Sequence, residues 1–431
     1  MDIKDKAIAA KTASITLAAL DGDTKNRALE AMAQGLEKRK ADIIAANQED
    51  CVRSEKENIA APILKRLTFG EEKINDVIDG IRSLISLKEP VGETTLATEL
   101  DEGLELYRVT APIGVIGIIF ESRPDALVQI SSLCLKSGNS VMLKGGSEAA
   151  LTNRILADII EEATLTAGAP EGWIQLVETR ADVNEMFALN EQIDLLIPRG
   201  SNAFVKYIMD NSSIPVLGHA DGVCHLYLHN DLDTAKVLPI VVDSKTQYVA
   251  ACNTVENILI HKDVASELLP QIKEALEAKE VELVGCSQTQ KIIDIAPATE
   301  EDWSTEYVDY KVAIKVVDGL EEAIPFINTH GSGHTDAILT ESKETAKRFM
   351  ALVDSACVLQ NCSTRFSDGF RFGFGAEVGI STSKIHARGP VGLDGLLIYK
   401  YKLIGSGQTV DMFAQKERTY THKPLSQECP L

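Results

Sequence analysis

The feature that most constrains the fold is a series of short apolar runs alternating with segments of helical spacing. Residues 113–120 (Ile-Gly-Val-Ile-Gly-Ile-Ile-Phe), 140–144 (Ser-Val-Met-Leu-Lys) and 174–177 (Ile-Gln-Leu-Val) are runs of strand length. A strand that is apolar along its whole length must be covered on both faces, which describes a parallel sheet between layers of helices. Helix-like segments over 125–136 and 147–166 supply the cover, and shorter runs at 195–197 and 214–217 extend the set. The same order returns after residue 250, with a run at 255–260, a helix over 264–278, and runs at 312–317 and 337–339. The expected fold is therefore α/β: a doubly wound parallel-sheet domain that binds a nucleotide, then a second α/β domain.

Other segments frame these two. Apolar positions at helical spacing over 12–57 (Ala28, Leu29, Met32, Leu36, Ile43, Ile44) and over 72–87 predict amphipathic helices with polar outer faces. Alternation on either side of Asp101-Glu102-Gly103 predicts a hairpin over 92–110. Residues 396–404 read as a long strand near the C-terminus, either an internal edge or one that pairs with another subunit.

A chain of 431 residues is expected to form two or three domains. Its net charge of −21 argues against nucleic acid, and an anionic substrate would need basic groups gathered locally. No apolar run approaches the about 18 residues of a membrane span, and the first residues lack the apolar core of a secretory signal. A cytoplasmic location is expected. The eight cysteines are scattered without a CxxC pair, and no zinc helix or triphosphate loop occurs, so no metal is expected. His330 and His334 stand four apart, but the glycines between them exclude a helical metal face.

Recognition starts at Thr110-Ala-Pro-Ile-Gly-Val-Ile-Gly-Ile-Ile-Phe-Glu-Ser-Arg-Pro124. It continues through Ser137-Gly-Asn139, Met142-Leu-Lys-Gly-Gly146, Gly168-Ala-Pro-Glu-Gly172, Pro198-Arg-Gly-Ser-Asn202 and Val216-Leu-Gly-His-Ala-Asp-Gly222. The last blocks are Asp243-Ser-Lys-Thr-Gln247, Ala251-Cys-Asn-Thr-Val-Glu256, Ser363-Thr-Arg-Phe366 and the stretch from Phe374 to Gly392. In this order, over nearly the whole chain, they resemble the γ-glutamyl phosphate reductases of the aldehyde dehydrogenase superfamily. The resemblance implies an aldehyde-dehydrogenase-like fold with a small oligomerisation β-element. It divides the chain into an NADPH-binding domain (1–235, with the hairpin), a catalytic domain (236–362) and a return to the cofactor domain with the C-terminal oligomerisation strand (363–431). The implied reaction is NADPH-dependent reduction of L-glutamyl 5-phosphate to L-glutamate 5-semialdehyde with release of phosphate, in proline synthesis. A homo-oligomer, and a glutamate 5-kinase that hands over the labile acyl phosphate, are the partners it suggests.

The resemblance also assigns residues. Cys252 occupies the place of the thiol nucleophile, which holds the acyl group covalently; Cys362 is the alternative. The backbone N–H of Cys252 and the Ser122 side chain stand where an oxyanion is held, although Ser122 can equally be a hydroxyl satisfying a turn. Lys144, with Gly145 and Gly146, matches the strand end that meets the cofactor ribose or its 2′-phosphate. Gly200 and Ser201 match the turn at the pyrophosphate, and Glu306 the carboxylate at the nicotinamide ribose. Arg199 and Arg365 lead the candidates for substrate anions, followed by Arg123, Lys245, Lys384, His386 and Arg388.

One departure is informative. Ordinary aldehyde dehydrogenases carry a water-activating Glu where this chain has Val216. Without a base, a thioester hydrolyses slowly, which favours reduction. A hydrolytic aldehyde dehydrogenase, an acyl-CoA reductase and a non-catalytic relative are the alternatives.

Overall fold

The computed structural model describes residues 2–59, 61–121, 123–178, 180–218, 221–374 and 377–431. Five helices open the chain: α1 (Ile3–Leu17), α2 (Gly22–Lys38), α3 (Lys40–Lys56), α4 (Ala61–Leu67) and α5 (Glu71–Ile85). Asp2 and Asp21 start the first two by accepting the backbone N–H groups of Asp5 and Thr24. The stripe Ala28, Leu29, Met32, Ala33 and Leu36 on α2 is buried in the largest apolar core. The expected hairpin follows as β1 (Thr94–Asp101) and β2 (Leu104–Pro112).

The first α/β unit contains β3 (Val115–Phe120), α6 (Pro124–Lys136), β4 (Ser140–Lys144), α7 (Ala150–Thr166) and β5 (Ile174–Leu176). It continues with α8 (Arg180–Met186), β6 (Leu195–Arg199) and α9 (Asn202–Asn211). Its strands are parallel in the order β5-β4-β3-β6. The run at 214–217 forms only a bridge between Val216 and Leu196 rather than a strand. Pro215 has no N–H to donate, and the ladder stops there.

The second unit contains β7 (Cys224–Leu228), α10 (Thr234–Thr246), β8 (Val255–His261), α11 (Lys262–Glu277), β9 (Glu282–Gly285), α12 (Ser287–Gln290) and β10 (Ala296–Pro297). It is completed by β11 (Lys311–Val317), α13 (Leu320–His330), β12 (Thr335–Leu339), α14 (Lys343–Leu352) and β13 (Cys357–Gln360). Its seven strands are parallel in the order β10-β9-β11-β8-β7-β12-β13. The strand β7 pairs with β8 and β12, so sheet membership begins this unit ahead of the expected boundary at 235/236. His225 interrupts the apolar run of β7 and hides it in the sequence. In the fold it is fully buried, with Nδ1 2.9 Å from Asp336.

The chain closes with β14 (Gly379–Ser381), β15 (Gly389–Val391), β16 (Leu397–Ile404), α15 (Val410–Ala414) and β17 (Lys423–Pro424). A third, antiparallel sheet runs β16-β2-β1-β17, and β16 lies at its edge with Ile398, Tyr399, Tyr401 and Leu403 exposed. Among the described residues no helix is long and apolar enough to cross a membrane.

Candidate active site

The first sheet changes direction at β3: β4 and β5 lie to one side and β6 to the other. Such a switch point opens a crevice at the C-terminal ends of the strands, where dinucleotides bind. Lys144 ends β4 and Arg199 ends β6, with Phe120 of β3 registered beside Arg199. Lys144 is buried and donates to the Gly145 carbonyl. A Cβ on Gly146 would lie 1.9 Å from Glu148 Oε1, so the Glu148 carboxylate lies directly over this glycine and would have to swing aside for a larger residue. Ser201 is the N-cap of α9, but its hydroxyl makes no capping bond. Asn202, the first residue of α9, donates from Nδ2 to Glu306 at 2.5 Å and to Asp221 at 3.1 Å. Glu306 of the second unit is thereby held beside Gly200 and Ser201 of the first. A glycine-lined strand end, a helix N-terminus and a nearby carboxylate fit a nicotinamide dinucleotide.

The second sheet presents its opposite edge. Cys252 closes the loop before β8, Cys224 begins β7 and His334 immediately precedes β12. The Cys252 loop is fixed by Thr254, whose N–H donates to Ala251 and whose hydroxyl donates to Tyr248. A Cβ on Gly222 would fall 2.2 Å from the Cys252 carbonyl oxygen, so the 222 segment can pass there only as glycine. The loops containing Cys252 and His334 follow the C-terminal ends of α10 and α13, where helix dipoles disfavour anions. Burial pushes the Cys252 thiol up to about 12; the Glu306 and Glu377 carboxylates add to the shift, and Arg199 and the Cys252 backbone N–H oppose it. For Cys362, burial raises the thiol.

His334 was absent from the residues expected at the site. Its Nε2 lies 3.1 Å from Cys252 Sγ, and its Nδ1 lies 2.8 Å from Thr335 Oγ1. Thr335 donates to Ser367 at 2.9 Å, and the Ser367 carbonyl accepts from Asn253 Nδ2 at 2.7 Å. No local signal marks this histidine, because its partner is 82 residues away.

The expected anion-binding residues separate into three groups. Arg199 and Arg365 both act electrostatically on Cys252 and lie around it. Arg365 is buried and its Nε donates to Gln247 at 2.9 Å; Arg199 donates to the Glu377 carbonyl at 3.4 Å. Arg123, exposed before α6, lies within electrostatic reach of Arg199. Lys245 lies apart: fully buried, it is paired with Glu256 at 2.6 Å and ties α10 to β8. Lys384 and Arg388 both bind Asp354, and His386 Nε2 is 2.7 Å from the Gly395 carbonyl. Ser122 lies outside the described residues. Glu377, also unexpected, accepts the Gly369 N–H at 3.0 Å, and burial raises its carboxyl. Val216 is half-buried among apolar neighbours and offers no base.

The sequence model of the aldehyde dehydrogenase family matches residues 1–309, and the chain belongs to that family, whose members are oxidoreductases using a nicotinamide cofactor. Its similarity is closer to one branch. It is 66% identical over 431 residues to the gamma-glutamyl phosphate reductase of Acetivibrio thermocellus, covering 100% of both chains. It is 62% identical over 428 residues to that of Pelotomaculum thermopropionicum, covering 99% of each. The crystal structure of gamma-glutamyl phosphate reductase from Thermotoga maritima matches with a TM-score of 0.93 at 40% identity, covering 95% of this chain and 100% of that one. An acetylating aldehyde dehydrogenase from Geobacillus thermoglucosidasius, at 18% identity and a TM-score of 0.65 over 94% of this chain and 97% of that one, shares the fold. The expected fold and family are borne out.

Proposed function

We propose that the chain reduces L-glutamyl 5-phosphate to L-glutamate 5-semialdehyde and releases phosphate, with NADPH as reductant. Full-length identity to the gamma-glutamyl phosphate reductases carries the reading. In this reading Cys252 attacks the acyl carbon, phosphate leaves, and the acyl group remains as a thioester. Arg199 and Arg365 hold the anionic ends of the substrate. Lys144, Gly145, Gly146, Gly200, Ser201 and Glu306 hold the nicotinamide dinucleotide, which supplies a hydride when bound. Val216 leaves no carboxylate to activate water, so the thioester survives until it is reduced.

The finer assignments rest on the same reading. Lys144 supplies a cation for the 2′-phosphate of NADPH. We divide the chain into a cofactor unit, a catalytic unit and a C-terminal return, with the first boundary between α9 and β7. The open edge of β16 suits pairing in a homo-oligomer, and a glutamate 5-kinase is the natural supplier of the acyl phosphate. The eight unpaired cysteines suit the reducing cytoplasm.

The test is the reverse reaction: phosphate-dependent reduction of NADP⁺ by pyrroline-5-carboxylate, the cyclised semialdehyde. Wild type should turn over and Cys252→Ala should not. Activity surviving in the variant moves the nucleophile elsewhere, and no activity in the wild type rejects the reaction.

A further inference from the structure

We propose that His334 is the general base of the acyl-transfer step and takes the proton of Cys252. The inference rests on the reaction proposed above only for the identity of the acyl donor. The arrangement of atoms supports it on its own.

Four observations carry it. Cys252 Sγ and His334 Nε2 are 3.1 Å apart, within hydrogen-bond reach for sulfur. His334 and Thr335 are buried, at 1% and 0% exposure, so the imidazole is held in one orientation. The Thr335 hydroxyl spends its proton on Ser367, 2.9 Å away, and meets His334 Nδ1 at 2.8 Å with a lone pair. That bond keeps the imidazole proton on Nδ1 and leaves the Nε2 lone pair facing the thiol. A nucleophile, a base and a group that orients the base make up the arrangement by which cysteine is activated in other active sites. The fourth observation is the need for it: Val216 supplies no carboxylate base, while burial and the Glu306 and Glu377 carboxylates raise the Cys252 thiol.

The step balances. The Cys252 sulfur forms a bond to the acyl carbon as the bond from that carbon to the phosphate oxygen breaks. The thiol proton passes to His334 Nε2 and then to the departing phosphate. No electron is transferred, and no proton is gained or lost.

Other charged and titratable groups face the pair. Glu306 comes from the loop before β11, Glu377 from the segment before β14, Arg199 from β6 and Arg365 from the loop after β13. Cys224 of β7 lies 4.0 Å from His334 Nδ1, while Arg388 and Asp354 stand beside Gly333. The two carboxylates resist charge on sulfur and the two guanidiniums support it.

The test is the pH dependence of Cys252 alkylation by iodoacetamide, followed by mass spectrometry of the peptide and needing neither substrate nor cofactor. The wild-type rate should level off near neutral pH. His334→Gln should lower the rate at pH 7 by about 10²-fold or more, with its rise displaced to alkaline pH. Thr335→Val should lower it by a smaller factor, and Thr335→Ser should restore it. Thr335 acts through His334, and a merely structural role would not move the pH profile. An unshifted His334→Gln profile overturns the proposal, as does a loss confined to Glu306→Gln or Glu377→Gln. If His334→Gln fails to fold, the Thr335 pair decides: a displaced profile for Thr335→Val supports the proposal and an unshifted one overturns it. A normal labelling profile without glutamyl phosphate reduction rejects the reaction and leaves this inference standing.

Discussion

On the proposed reading, the two parallel sheets meet anions at opposite ends, and they do so by opposite means. The first sheet offers the C-terminal ends of its strands, where α9 turns its N-terminus and free N–H groups toward the crevice. An anion there is met by backbone dipoles, and small side chains suffice. The second sheet offers the N-terminal ends of β7, β8 and β12, where the preceding helices point their carbonyl ends. A thiolate there is opposed by burial and by the Glu306 and Glu377 carboxylates, and it depends on its own backbone N–H and on individual side chains: Arg199, Arg365 and the proposed base His334. The catalytic edge is therefore sensitive to single substitutions, while the cofactor edge spreads its work over many backbone groups.

The largest expected effect breaks the support beneath the catalytic edge. Lys245 and Glu256 are buried together at 2.6 Å, with burial lowering Lys245 and raising Glu256 to about 8. Removing one partner of a buried pair costs about 3–5 kcal/mol. Lys245→Met should lose that much stability at pH 8 in chemical denaturation, and less at pH 5. The sign follows from proton linkage. The folded carboxyl binds its proton more tightly than the unfolded one, so stability falls as pH rises between the two values. In the wild type the same group should make the unfolding midpoint drop from about pH 5 toward pH 8. A substrate-binding role for Lys245 would instead appear as a raised KM with unchanged stability.

Gly222→Ala comes next. Its Cβ must displace the Cys252 carbonyl, and a shift of about 1 Å in a reacting group costs on the order of 10²-fold in rate. Steady-state kinetics should show kcat reduced by at least that factor with the cofactor KM nearly unchanged. Equal losses in both would mean that the two edges are not separable.

How much of this was legible differs from residue to residue. The cofactor-edge blocks Met142-Leu-Lys-Gly-Gly146 and Pro198-Arg-Gly-Ser-Asn202 are contiguous, yet their roles come from the family resemblance, because a lysine at a strand end is otherwise an ordinary solvated residue. Cys252 could be read only through family resemblance, since eight cysteines look alike in isolation. His334 escaped because its meaning lies in Cys252 and Ser367, distant in sequence and joined only by the order of β7, β8 and β12. Lys245 shows the converse. It sits in a matching motif with the right charge, yet an ion pair with Glu256 keeps it in the core. β7 was missed for a related reason, since His225 looks polar until Asp336 is placed beside it.

The smallest effect sharpens the comparison from the cofactor side. The Glu148 carboxylate lies over Gly146, a few residues beyond Lys144, so the two charges act in opposition on any group bound at that strand end. A 2′-phosphate is attracted by Lys144 and repelled by Glu148, whereas a 2′-hydroxyl can donate to the carboxylate. Near a surface such a single charge is worth about 1 kcal/mol or less, or roughly fivefold in affinity. Glu148→Gln should therefore raise the ratio of kcat/KM for NADPH over NADH by a few-fold, mostly through the NADPH KM, and the gain should shrink as salt is added. A gain of a hundredfold would mean that one side chain governs the cofactor edge as His334 is proposed to govern the catalytic one, and the contrast between the two sheets would fail.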